Sequence, residues 1–120
     1  MSFARFLRTI SDKIPPAAVL NMKALSELDP DKIYVENVRS VLRVPHGIAR
    51  RICEMAVAQG VFRRFVAVEC PDGSEAAEAE RESELPPTVT CMREEDGFMA
   101  EVEMPSKGLR RVTFYRLVGE

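Results

Sequence analysis

Arg39, Arg43, Arg50, Arg51, Arg63 and Arg64 fall in one stretch of the chain, with His46 among them. Residues 32–64 carry seven Lys/Arg, Lys32 included, against only Glu36 and Glu54, a net charge of +5. The planar guanidinium fork bonds phosphate oxygens and the edge of guanine, so a cluster of this kind suits an anionic partner. Any one of these arginines is accounted for by solvation of an exposed helical face. The cluster as a whole, net +5 over 33 residues inside an acidic protein, favours a nucleic-acid or acidic-partner surface, while the acidic segment that follows counts against simple DNA binding unless it points away. Residues 65–104 hold two arginines against twelve Asp/Glu, net −10, while residues 1–31 are neutral and residues 105–120 carry +3. The whole chain, at −2, hides this separation, which speaks to partners and orientation rather than to fold.

Other chemistries find little support. No phosphate loop, nucleophile elbow or two-histidine zinc motif is present. His46 is the only histidine and sits ahead of a helix, where capping, surface or groove contact is the ordinary role. The carboxylates at 75–84 and 94–96 lie in turns and loops, where water keeps them ordinary acids rather than shaped acid–base groups. A non-enzymatic protein without cofactor is expected. Three cysteines cannot make a complete disulfide framework, so a reduced, cytoplasmic setting is expected too. No purely apolar run exceeds four residues, which excludes a membrane span.

The 120 residues are enough for one core, and their periodicities say which elements must position the arginines. Phe3, Phe6, Leu7, Ile10 and Ile14 recur at helical spacing, predicting an amphipathic N-terminal helix over 1–16 that packs on the core rather than a transit peptide. A second helix is predicted from Ala17 to Leu28, then a short strand at Ile33-Tyr34-Val35. Glu36 to Arg43 reads as helix, Val44-Pro45-His46-Gly47 as a turn, and Ile48 to Gln59 as the clearest helix, with Gly60 at a left-handed C-cap. Beyond it, Val61 to Cys70 is rich in β-branched and aromatic residues and reads as strand. Glu75 to Glu84 reads as a solvated loop. Thr88 to Met92, Phe98 to Met104 and Arg110 to Val118 read as further strands, the last two forming a C-terminal hairpin.

This order of helix, short strand, helix, tight turn, long helix and strand hairpin resembles the winged helix-turn-helix domain. The resemblance covers residues 17–92, with an acidic loop at 75–87 in the wing and a C-terminal β-hairpin at 93–120 on the same core. It implies an α+β winged helix with an extra N-terminal helix. It also implies that the helix from Ile48 to Gln59 is the reading helix, with His46, Arg50 and Arg51 facing outward. Arg39 and Arg43 would extend the patch, and Arg63 and Arg64 would begin the wing. Double-stranded DNA is then the expected partner and transcription regulation the expected role. The alternative is a winged-helix adaptor in a multi-protein complex, docking through an apolar patch around Phe3, Phe6 and the strands from Phe98 to Tyr115. A homodimer through the N-terminal helix would suit paired DNA half-sites. The acidic loop, lying over the basic helix, would compete with DNA.

Cys70-Pro71-Asp72-Gly73 and Cys91-Met92-Arg93-Glu94 are similar to zinc-ribbon knuckles that each lack the second cysteine, with Gly73 and Glu94 in its place. A metal-free, ribbon-like hairpin is expected, or equally two small buried cysteines on neighbouring strands. A winged helix followed by a ribbon resembles the archaeal factor E type of general transcription factor. That likeness implies contact with transcription machinery more than sequence readout. Cys53 reads as a packing residue within its helix.

Overall fold

The computed structural model describes residues 3–11 and 22–118. Among these residues three α-helices come first: α1 (Phe3–Ile10), α2 (Val35–Leu42) and α3 (His46–Ala58). Five strands follow: β1 (Phe62–Glu69), β2 (Glu75–Ala79), β3 (Thr88–Glu95), β4 (Phe98–Pro105) and β5 (Arg110–Leu117). The architecture is α+β, with a three-stranded sheet in the order β2-β1-β5 and a separate antiparallel pair β3-β4.

The chain divides into two compact units, the first made of residues 1–64 and 114–120, the second of residues 65–113. The boundary at Arg64/Phe65 falls inside the segment 17–92 that the sequence reading groups together. It also sorts the charge. The first unit holds twelve Lys/Arg against seven Asp/Glu, net +5, and the second five against twelve, net −7.

In the first unit, the stripe of α1 is buried through Phe6, Leu7 and Ile10, against a core that includes Leu25, Ile33, Val38, Leu42, Ile52, Val61, Phe62 and Tyr115. Phe6 is buried, and the side chain of Phe3 lies outside the described residues, as do Ile14 and the double proline. Of the helix predicted from Ala17 to Leu28, the described part is a 3-10 helix at Met22–Glu27. The short strand predicted at 33–35 is a single bridge, Ile33 to Tyr115, closed by two backbone hydrogen bonds of 2.8 and 2.7 Å. Val35 already belongs to α2, whose start is fixed by the Asn37 side chain accepting from the Tyr34 N–H at 3.2 Å.

The second unit overturns three expectations. The segment read as an acidic loop contains a strand: β2 pairs with β1 from Val66↔Ala79 to Glu69↔Glu75, with an irregularity between Val68 and Glu69. Ala76 and Ala77 are small enough to pack against Val68, Cys70, Val89 and Cys91, so tertiary context outweighs the poor strand propensity of Glu and Ala. The Pro71–Ser74 turn that joins the two strands is tied by Asp72 Oδ1, which accepts from the Ser74 N–H and hydroxyl at 3.0 and 2.6 Å. The second correction concerns the C-terminal hairpin. β4 pairs with β3 through the two-residue Asp96-Gly97 turn, whose positive φ values of 49° and 82° suit a hairpin connection, while β5 lies beside β1. The chain turns away after β4 because Ser106 is buried and donates from its hydroxyl to Pro86 O at 2.7 Å and from its N–H to Pro87 O at 3.0 Å. Half-buried Arg111 secures the same corner. Its Nη1 donates to the carbonyls of Ser106 and Leu109, and its Nε donates to Glu82 Oε1 at 3.1 Å.

The third correction is a disulfide. Cys70 and Cys91 are joined, with their Cα atoms 5.8 Å apart, and both are buried. Neither carries a thiol, and only Cys53 is free. The inference of a reduced setting from the cysteine count loses its footing, since an odd number leaves room for one bridge and one buried thiol. Among the described residues, no helix is long and apolar enough to cross a membrane. No group of three or more His, Cys, Asp or Glu among them is placed to hold a metal.

Candidate nucleic-acid interface

α2 and α3 form because each has one apolar stripe and the residues between them cannot continue a helix. Val38 and Leu42 are buried from α2; Ala49, Ile52, Cys53 and Ala56 are buried from α3. Arg43 ends α2 in the left-handed region, at φ 56°. Val44 lies outside both helices, and Pro45, at φ −59° and ψ 153°, opens α3 by accepting at its carbonyl from the Ile48 and Ala49 N–H groups at 3.0 and 3.1 Å. His46 and Gly47, read from sequence as turn, are thus the first turn of α3. At the far end of α3, Gly60 takes the left-handed cap, and Val61 N–H bonds Ala56 O at 2.8 Å. The same bond closes α2, from Val44 N–H to Arg39 O at 3.3 Å, but with arginine where α3 has glycine. Left-handed backbone costs an L-residue about 1–2 kcal/mol, so Arg43 is held at the turn against its own preference.

All seven predicted residues are exposed, but they differ in what they touch. Arg39 donates from Nε to Glu36 Oε2 at 2.9 Å, and His46 places Nδ1 2.9 Å from Glu36 Oε1. Glu36, in the first turn of α2, thereby links the starts of the two helices. The His46 hydrogen bond, then that of Arg39, holds its carboxyl below the ordinary value. Arg64 makes a bidentate pair with Glu54, its Nε donating to Oε2 at 3.0 Å and its Nη2 to Oε1. Arg63 is exposed beside it and engaged in an interaction of its own. Among the described residues, the side chains of Arg43, Arg50 and Arg51 make no hydrogen bond and no salt bridge, although the charge of Arg50 acts on Glu54. These three, one in the turn and two on the outward side of α3, are the cations left to meet a ligand.

Sequence reasoning missed the node beneath them. Tyr115, buried on β5, donates its hydroxyl to Glu54 Oε2, so the carboxylate takes hydrogen bonds from both Tyr115 and Arg64. Burial pushes the Glu54 pKa up, but these hydrogen bonds outweigh it and hold the carboxyl below its ordinary value of 4.5. Burial and the Glu54 hydrogen bond push the Tyr115 phenol upward. Because the folded Glu54 pKa is depressed, its contribution to stability is present above about pH 4.5 and is lost as pH falls through the folded value. Thermal melts from neutral to strongly acidic pH should therefore show a steeper acid loss for the parent than for Glu54→Gln. Parallel curves would remove Glu54 from the acid response.

Comparison with protein-family models, with curated proteins and with solved structures finds no match. The α+β architecture and this helix pair with its unpaired arginines are what bear on function.

Proposed function

We propose that this chain is a non-enzymatic, winged-helix-type protein that binds duplex DNA through α2 and α3 and acts in transcription regulation. The observation that carries the reading is the set Arg43, Arg50 and Arg51, exposed and without a salt bridge on two short helices joined by a three-residue turn. α3 is the reading helix in this proposal. Arg39, His46 and Arg63 flank the contact. Arg64 serves the fold first, through Glu54. The +5 charge of the first unit favours phosphate, and the −7 charge of the second opposes it, so the duplex is assigned to the first unit alone.

Binding to mixed-sequence duplex DNA over a salt series tests this. Three phosphate contacts give a log–log salt slope of roughly −2.7, and Arg50→Ala/Arg51→Ala should reduce its magnitude by about 2. Affinity should fall by about tenfold or more in that double variant. No binding at low salt, or a slope indifferent to both arginines, overturns the proposal. The adaptor reading has an observation of its own, an exposed apolar hairpin end in the second unit.

A further inference from the structure

The β3–β4 hairpin has a supported base and an unsupported end. Cross-strand register puts Val89 with Met104 and Cys91 with Val102, and of these Val89, Cys91 and Met104 pack into the small core of the second unit. Past that point every residue from Met92 to Met99 is exposed. Met92, Phe98 and Met99 are 41%, 76% and 60% exposed, the only large apolar side chains so placed among the described residues. A two-stranded hairpin without a third layer is marginal in water, and an apolar end on one marks a docking surface.

Charge says what kind of surface it docks on. The apolar end carries Glu94, Glu95, Asp96 and Glu101 along its strands and turn, with Glu103 two residues further back and Arg93 as the one cation in this stretch, 4.0 Å from Glu95. Among the described residues, Glu94, Asp96, Glu101 and Glu103 make no side-chain hydrogen bond or salt bridge. Nucleic acid and anionic lipid are repelled by such an end, whereas a cationic protein surface is attracted. The chain itself carries that surface: Arg43, Arg50 and Arg51 are exposed and their side chains make no hydrogen bond or salt bridge. Arginine also suits the apolar part, because guanidinium groups stack on an aromatic ring such as Phe98 and their stems cover methionine.

We propose that the β3–β4 hairpin end docks on the α2–α3 arginine face of a second copy of this chain, so that the protein self-associates head to tail. Acidic hairpin and basic helices are different patches, which makes the contact heterologous. Each copy offers one of each, and duplex DNA competes with the hairpin for the same arginines if the DNA reading holds. The inference itself stands on the unpaired charges and exposed apolar side chains, not on that reading.

Two variants of the full chain separate the surfaces. Phe98→Ser/Met99→Ser disables the hairpin and Arg50→Glu/Arg51→Glu disables the helices; all four positions are exposed, and circular dichroism verifies that each variant folds. Sedimentation of the parent should show a mass that rises with concentration, and association should weaken by about tenfold or more between about 0.05 and 0.5 M salt. Each variant alone should be monomeric. Mixed, they should form a one-to-one heterodimer, because the intact helices of one accept the intact hairpin of the other. A monomeric parent at all concentrations overturns the proposal. So does self-association of the helix variant alone, which would mean hairpin pairing with hairpin. Duplex binding by the hairpin variant reports on the DNA reading separately, since its arginines are untouched.

Discussion

Tyr115→Ala is expected to lower the stability of the first unit by about 3–5 kcal/mol, the range for truncating a large buried aromatic. Tyr115 is 1% exposed, packs tilted against Phe62 with ring centroids 6.0 Å apart, and holds Glu54 through its hydroxyl. Its backbone also pairs with Ile33, so the side chain anchors β5 where it closes the unit. Tyr115→Phe keeps the ring and loses only the hydrogen bond, and should cost about 1 kcal/mol because water still reaches the partly exposed Glu54 and Arg64 remains its partner. Urea unfolding of the two variants decides between ring and hydroxyl. Equal losses would mean that the hydroxyl, not the packing, carries the effect.

Removing the Cys70–Cys91 bridge is expected to cost about 3 kcal/mol, the chain-entropy value for a closed loop of this size. The bridged residues are 21 apart in sequence, and the loop holds the whole of β2. The second unit needs the bridge more than the first would, since its buried cluster is only Val68, Val89 and the two half-cystines themselves. Hydrogen exchange on Cys70→Ala/Cys91→Ala should show protection lost across residues 65–113 and largely kept in α2 and α3. Thiol counting provides a control. Burial pushes Cys53 up to about 12, so an unreduced native sample should titrate no thiol and an unfolded one should titrate one. Uniform loss of protection in both units would refute the local role assigned to the bridge.

The helix pair was legible in the sequence because its signals are local. The apolar stripe of α3, Pro45 after Val44, and Gly60 at the end are each written within a few residues, and the structure places α3 within two residues of the expected bounds. The alternation of β4 was legible for the same reason. β2 was not, because Glu75–Ala79 has no strand propensity and becomes a strand only beside Val66–Glu69. The disulfide was not, because cysteine spacing does not say which strand ends meet. The pairing of β5 with β1 rather than β4 depends on how the chain turns at Ser106, anchored twenty residues back on Pro86. At the candidate site, Arg64 looked like one more surface cation. Its partner Glu54 lies a helix end and a turn away, and Tyr115 lies 61 residues from Glu54. The pair of Glu36 with Arg39 was within reach, as a carboxylate three residues ahead of an arginine on one helix.

The first unit is discontinuous along the chain, and this bears on the order in which a growing polypeptide can settle. Residues 65–113 are contiguous, and the β3–β4 hairpin within them closes on a two-residue turn, so they can pair as soon as they have been made. The first unit must wait. Its helices are synthesised early, but Ile33 finds Tyr115, and Val61 accepts from Val118 at 2.8 Å, only when the last strand has emerged. Until then Ile33, Val61 and Phe62 lack the β5 partner that covers them, and a nascent chain paused before Phe114 presents that open core to its surroundings.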